Sequence, residues 1–278
     1  MVTVGVLALQ GGFSEHLSSL RKAAAYISSR SPSIPNLDFI EVRTPEQLSR
    51  CDALVIPGGE STTLSLVAAQ SGLLGPLREF VKITKKPTWG TCAGLIFLSE
   101  QASAAKKGGQ ELIGGLDVKV HRNHFGRQKE SFVTDLDLPF LYQNADDARA
   151  APFPAVFIRA PVVDHVLTTD IGSIDDKMES TAAEVAVPAS GAQTENSKGK
   201  VEILATLPGR HASNKAAVAA TVGADAETVS PKGAGDIVAL RQGNVFGTSF
   251  HPELTDDIRI HVWWLEQIIN PYPDDTQK

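Results

Sequence analysis

Thr88-Trp89-Gly90-Thr91-Cys92-Ala93-Gly94-Leu95-Ile96-Phe97-Leu98 reads as a strand end, a sharp turn and a helix start. Cys92 stands at the turn, with Gly90 two residues before it and Gly94 two residues after. That is the cysteine form of the nucleophile elbow. The glycines let the backbone bend sharply and leave no side chain beside the nucleophile. A thiol at a helix N-terminus also meets the positive end of the helix dipole, which favours the reactive thiolate. The competing reading is a lone cysteine buried as a small hydrophobe. The rest of the chain decides between them by supplying, or failing to supply, a base, an oxyanion site and a pocket.

Upstream of the elbow, strands and helices alternate. Val2-Thr3-Val4-Gly5-Val6-Leu7 begins an apolar, Val-rich run suited to a central parallel strand, and Gln10-Gly11-Gly12 ends it. A helix opens at Ser14-Glu15-His16 with Leu17, Leu20 and Ala24 on one face, and residues 28–35 form a polar loop. Asp38-Phe39-Ile40-Glu41-Val42 is a second strand, and Thr44-Pro45-Glu46 an N-cap with Pro at the first helical position. Asp52-Ala53-Leu54-Val55-Ile56-Pro57 is a third strand running into Gly58-Gly59-Glu60-Ser61-Thr62-Thr63, with a helix from Leu64 and another over 76–84. This alternation predicts an α/β fold, a doubly wound, mainly parallel sheet flanked by helices.

The second half predicts an antiparallel extension. Residues 114–120, 131–136, 156–159, 201–207, 236–241 and 244–250 read as strands without long helices between them. A helix over 256–270 closes the chain, with Ile258, Val262, Leu265 and Ile269 at helical spacing and Trp263 and Trp264 packing on the sheet. Residues 168–200 and 208–235 are rich in Ser, Ala, Gly and charged groups and poor in large apolar ones, which predicts mobile surface insertions in a single domain spanning 1–278. The sequence also allows a short helix over 214–222.

Composition narrows the function classes. The chain has 278 residues, 42% hydrophobic and 21% charged, enough for a full core. A net charge of -6 without a basic block argues against a nucleic-acid partner. With only two cysteines, Cys51 and Cys92, there is no disulfide framework, and a reducing, cytoplasmic setting is expected. No apolar run reaches the roughly 18 residues of a membrane span, so no membrane partner is expected, and the N-terminus lacks the basic flank of a signal peptide.

The base candidate is His251 in Gly247-Thr248-Ser249-Phe250-His251-Pro252-Glu253. Pro252 biases His251 toward extended backbone, where residues two apart project to one side. His251 and Glu253 then supply a base and its orienting carboxylate. A lone His at a strand end is more often structural; the His-Pro-Glu spacing together with the elbow favours chemistry. Pro57-Gly58-Gly59-Glu60-Ser61-Thr62 is the oxyanion candidate, through the amides of Gly59 and, just after the nucleophile, Ala93. The rival, a phosphate loop, lacks both the GxxxxGK[ST] and the GxGxxG patterns. His121-Arg122-Asn123-His124 is thin evidence for a metal, and none is expected. Arg122, and Arg159 in Phe157-Ile158-Arg159-Ala160-Pro161, are anchor candidates for a charged substrate. His16, His165, His211 and His261 have no supporting context and read as ordinary.

The G-T-C-A-G elbow, P-G-G-E-S-T at 57–62 and H-P-E at 251–253 together resemble a class I, triad-type glutamine amidotransferase. Gly5-Val6-Leu7-Ala8-Leu9-Gln10-Gly11-Gly12, Arg122-Asn123-His124-Phe125-Gly126-Arg127-Gln128, Phe157-Ile158-Arg159-Ala160-Pro161 and Ser249-Phe250-His251-Pro252-Glu253-Leu254-Thr255 narrow the resemblance to the glutaminase subunits of pyridoxal 5'-phosphate synthase. The resemblance implies hydrolysis of L-glutamine to L-glutamate and ammonia, without a cofactor. The ammonia passes to a Pdx1-type synthase subunit that builds pyridoxal 5'-phosphate (vitamin B6) from a pentose phosphate and a triose phosphate. It implies Cys92 as nucleophile, His251 as general base and acid, and Glu253 as orienter. Gly59, Glu60, Ser61, Arg122, Ile158 and Arg159 would line the glutamine site. It further implies a glutaminase that is largely silent until the synthase docks near the oxyanion loop and Gln10. Additions at 28–35, 101–110 and within 168–235 resemble the longer eukaryotic members. A glutaminase of another synthase would share the triad but not the R-N-x-F-G-R-Q or F-I-R-A-P runs. A Cys-dependent peptidase or chaperone on a similar frame would share only the elbow.

Overall fold

A computed structural model describes residues 1–31, 33–103, 110–122, 131–142, 151–167, 199–207 and 235–270. The strands are β1 (Val2–Leu7), β2 (Leu37–Val42), β3 (Ala53–Ile56), β4 (Thr88–Thr91), β5 (Ser99–Ala102), β6 (Leu116–His121), β7 (Phe132–Leu136), β8 (Phe153–Phe157), β9 (Val162–Val166), β10 (Glu202–Leu207), β11 (Asp236–Gln242) and β12 (Val245–Thr248). The α-helices are α1 (Phe13–Arg30), α2 (Pro45–Ser49), α3 (Ser61–Gln70), α4 (Leu74–Arg78), α5 (Ala93–Leu98) and α6 (Arg259–Ile269).

One sheet runs in the order β2-β1-β3-β4-β12-β11-β9-β6-β5, with β10 added to β11. The block β2-β1-β3-β4-β12 is parallel throughout. Beyond β12 the pairings β12-β11, β11-β9 and β9-β6 are antiparallel, and β5 returns parallel to β6. Strands β7 and β8 form a separate antiparallel pair. The expected mainly parallel sheet with an antiparallel extension is the observed architecture.

Apolar groups lie on both faces, as a doubly wound sheet requires. All four residues of β3 are fully buried; Ala53 and Val55 enter one core with α1 and α6, Leu54 and Ile56 the other with α3, α4 and α5. Trp89 in β4 anchors the first core, its ring against Phe246 and Trp264, while its Nε1 donates to Thr248 Oγ1 at 3.2 Å.

Local details differ from the sequence reading where the tertiary structure intervenes. Thr44 caps α2 in a capping box with Gln47, as the N-cap reading expects. Helix α1 runs on to Arg30, into the stretch that reads as loop, because Ile27 is buried against the core. Helix α3 begins at Ser61 because the Glu60 carboxylate caps it, accepting from Thr62 N at 3.0 Å and Thr63 N at 2.6 Å. The helix expected over 76–84 is α4 followed by a π-helical turn, Glu79–Ile83. Strands β5 and β9 are not legible in the sequence, and 158–159 form a corner after β8, with Arg159 at φ 46°. The expected mobile insertions at 168–200 and 208–235, and the helix over 214–222, fall almost wholly outside the described residues.

Candidate active site

Because β1, β3, β4 and β12 are parallel neighbours, the loops leaving their C-terminal ends converge on one edge of the sheet, where open α/β sheets bind ligands. Those loops carry Gln10, Gly58-Gly59, Cys92 and His251-Pro252-Glu253. Register brings the two most distant parts together: Thr248 pairs with Thr91, and the Cys92 amide donates to Thr248 O at 2.8 Å.

Cys92 has φ 49° and ψ -103°, a conformation L-residues rarely adopt, and it precedes α5 directly. The flanking glycines are sterically required. A Cβ on Gly90 would meet the Gly94 carbonyl at 2.5 Å, and one on Gly94 would collide with the Ile56 carbonyl. The elbow is thus wedged between β3 and its own helix.

His251 is held from both sides. Its amide donates to Val156 O of β8 at 2.8 Å, and its Nδ1 bonds Glu253 Oε1 at 2.8 Å. Cys92 stands beside the ring: a Cβ on Gly58 would overlap His251 Cε1 and lie 3.2 Å from Cys92 Cβ. Burial opposes a charge on the ring, but Cys92 and then Glu253 outweigh it and raise the His251 pKa from 6.5 to about 10. Burial likewise opposes the Glu253 carboxylate; His16 and His251 outweigh it and hold the pKa well below the ordinary value.

The signs follow. His251 contributes stability fully present below pH 6.5, lost progressively as pH rises toward about 10. Glu253 contributes stability above its ordinary range near 4.5, lost as pH falls below it. Replacing Cys92 with Ala removes the largest raising influence on His251, so the NMR titration of its Cε1 proton is expected to move down toward 6.5. An unmoved titration would show that the thiol does not bond the ring.

Gly58 and Gly59 pass across the front of this pair. The Gly58 amide donates to Thr91 Oγ1 at 3.0 Å, and Gly59 has φ 146°, open to glycine alone. Gln10 clamps the next peptide: its Oε1 accepts from Glu60 N at 3.1 Å and its Nε2 donates to Glu60 O at 2.9 Å.

Other residues named from sequence lie nearby with their side chains already engaged. The Glu60 carboxylate caps α3 and stands 3.5 Å from Arg122 Nη2, which also donates to Thr62 Oγ1 at 3.2 Å. Burial lowers the Arg122 pKa, opposed by Glu60. The Ser61 hydroxyl donates to Gln110 Oε1 at 3.0 Å, inward and buried. Ile158 is 38% exposed at the β8–β9 corner, beside Arg159 and two residues after the carbonyl that holds His251. Residues 123–128 lie outside the described residues. No group of three or more His, Cys, Asp or Glu is placed to hold a metal among the described residues.

Two histidines that read as ordinary in the sequence are part of this neighbourhood. His16 on α1 and His261 on α6 are fully buried, and His16 Nε2 lies 3.3 Å from Glu253 Oε2. The signal was a histidine inside an apolar helical stripe: His16 shares its face with Leu20, Ala23 and Ile27.

A cysteine elbow, a His-Glu pair and a glycine-rich loop at the C-terminal edge of a doubly wound sheet are the parts of a triad-type glutamine amidotransferase. A crystal structure described as a glutamine amidotransferase superposes with a TM-score of 0.62 at 32% identity, covering 95% of this chain and 98% of that one. The model of the SNO glutamine amidotransferase family matches residues 6–194 and 182–270, and the chain belongs to that family. It is 40% identical over 266 residues to the probable pyridoxal 5'-phosphate synthase subunit PDX2 of Arabidopsis thaliana, covering 95% of this chain and 85% of that one. It is 37% identical over 274 residues to subunit SNO1 of Saccharomyces cerevisiae, covering 97% and 94%. With subunit PdxT of Pyrococcus furiosus the identity is 34% over 269 residues, covering 97% and 100%.

Proposed function

We propose that the protein hydrolyses L-glutamine to L-glutamate and ammonia and delivers the ammonia to a pyridoxal 5'-phosphate synthase subunit. The observation that carries the reading is the His251 ring, bonded to Glu253 Oε1 at 2.8 Å and standing with the strained Cys92 elbow against Gly58. The names of the relatives, subunits of pyridoxal 5'-phosphate synthase, support the destination of the ammonia.

In this reading the Cys92 thiol gives its proton to His251, the sulfur attacks the carboxamide carbon and the oxygen takes the negative charge. The amides of Gly59 and Ala93 stabilise it; among the described residues neither donates to a protein acceptor. The C–N bond then breaks, the nitrogen takes the proton from His251, and ammonia leaves a thioester. His251 next removes a proton from water, which attacks the thioester and releases glutamate and the thiol. Glu253 keeps the ring oriented and compensates its charge. The whole chain, 1–278, acts as one amidotransferase domain in the cytoplasm. Among the described residues no helix is long and apolar enough to cross a membrane.

Glutaminase activity measured with and without the synthase subunit, scored also for pyridoxal 5'-phosphate formation, tests the reading. Activity that rises with the partner supports it; no ammonia under either condition overturns it. In the same assay Arg122→Gln is expected to raise KM for glutamine by roughly 10- to 100-fold with a smaller change in kcat, the scale of one charged hydrogen bond to substrate. An unchanged KM would remove Arg122 from the substrate site.

A further inference from the structure

Glu253 presents two oxygens in a buried site, and His251 uses one of them. Oε2 is buried, and among the described residues no straight hydrogen bond reaches it. His16 Nε2 hydrogen-bonds Thr91 Oγ1 at 3.3 Å and stands at the same 3.3 Å from Oε2, the close polar contact this oxygen makes with His16. His16 Nδ1 lies 3.1 Å from His261 Nε2.

The proton positions follow from the partners. Burial, and next the neighbouring His16, push the His261 pKa well below the ordinary value, so that ring carries one proton. Its Nδ1 has no partner among the described residues, and a proton there would be a buried, unsatisfied donor. The proton therefore sits on Nε2 and is donated to His16 Nδ1. His16 Nδ1 accepts, which leaves its own proton on Nε2, the edge of the ring that faces Thr91 Oγ1 and Glu253 Oε2. The reverse arrangement strands a donor on His261 and turns a bare ring nitrogen toward Oε2.

We infer that His16 is a positioning residue for this reaction: it holds Oε2 of Glu253 so that Oε1 faces His251, and His261 sets the His16 tautomer that allows it. The inference rests on the Cys92-His251-Glu253 reading. The arrangement is braced around it. The backbone closes on the carboxylate at Gly12, where a Cβ would stand 2.9 Å from Oε1. Trp89 packs edge-on against both rings, with centroids 5.5 Å from His16 and 5.0 Å from His261. The same Thr91 hydroxyl that meets His16 accepts the Gly58 amide, so one side chain touches the acid's holder and the anchor of the glycine loop.

The test uses the full chain with its synthase partner and a double-mutant cycle. His16→Leu is expected to lower kcat for glutamine by roughly 10- to 100-fold, as for other outer partners of functional side chains, with KM unchanged. His16→Gln, which restores a donor, is expected to recover part of the loss. In a Glu253→Gln background His16→Leu should cost little more, because its effect passes through that carboxylate. The downfield Nδ1 proton of His251 should weaken in His16→Leu. If the His16→Leu variant does not fold, the cycle is run with His16→Asn, whose shorter amide falls short of Oε2. Costs that multiply independently in the cycle, or a His16 variant with full kcat, overturn the inference. An inactive wild-type chain overturns the underlying assignment instead.

Discussion

Cys92→Ala is expected to abolish glutamine hydrolysis in the presence of the synthase subunit, by roughly 10⁴-fold or more, the scale on which removal of an essential nucleophile acts. The fold should survive. Cys92 is almost fully buried, yet Ala keeps the Cβ and loses only the sulfur. Glutamine binding and ammonia-dependent pyridoxal 5'-phosphate formation by the partner should both remain. Turnover resembling wild type would remove the nucleophile assignment. Cys92→Gly is expected to be equally inactive but more stable than Cys92→Ala by about 1 kcal/mol, since only glycine adopts a positive φ of 49° without strain. Thermal unfolding of the two variants side by side measures the strain stored at the elbow.

Gly58→Ala is expected to lower kcat on the order of 100-fold with little loss of structure elsewhere. A Cβ at this position would overlap the His251 ring, standing 2.9 Å from Nδ1 and 3.2 Å from Cys92 Cβ. His251 is pinned by its bond to Glu253, so the ring or the loop must give way. A shift of about 1 Å in a reacting group costs on this scale. Gly58 is not among the positive-φ glycines, so the effect is steric rather than conformational. Gly75→Ala on α4, where the added Cβ meets nothing within 4 Å, is the matched control and should leave turnover unchanged. Equal activity of the two variants would show that the loop does not stand against His251 during the reaction.

The elbow, the His-Pro-Glu segment and the glycine loop are legible in the sequence because each is a short run whose residue types serve one local geometry. The parallel half of the sheet is legible for a similar reason: Ala53 to Ile56 is apolar at every position, as a strand covered on both faces must be. Strand β5, Ser99-Glu100-Gln101-Ala102, is not legible, because three of its four residues are polar and its order comes from pairing with β6. Apolar periodicity places the start of helix α3 at Leu64 rather than Ser61, since Glu60 is an unusual cap and its role depends on the bend at Gly59.

Sequence alone determined the chemistry on offer: a thiol at a bend, an imidazole two residues from a carboxylate, and amides free of side chains. It could not determine who faces whom. Cys92 and His251 meet because β12 inserts beside β4 in parallel register, a pairing between segments far apart in the chain. Gly90 and Gly94 serve less to bend the chain than to let the helix sit against β3. His16 and His261 look like stray polar residues in two apolar stripes, and only the packing of α1 on α6 sets them against each other and against Glu253. Local geometry is written in short runs of residues, whereas contacts between distant side chains arise only when the sheet closes and burial leaves each polar atom to find its partner.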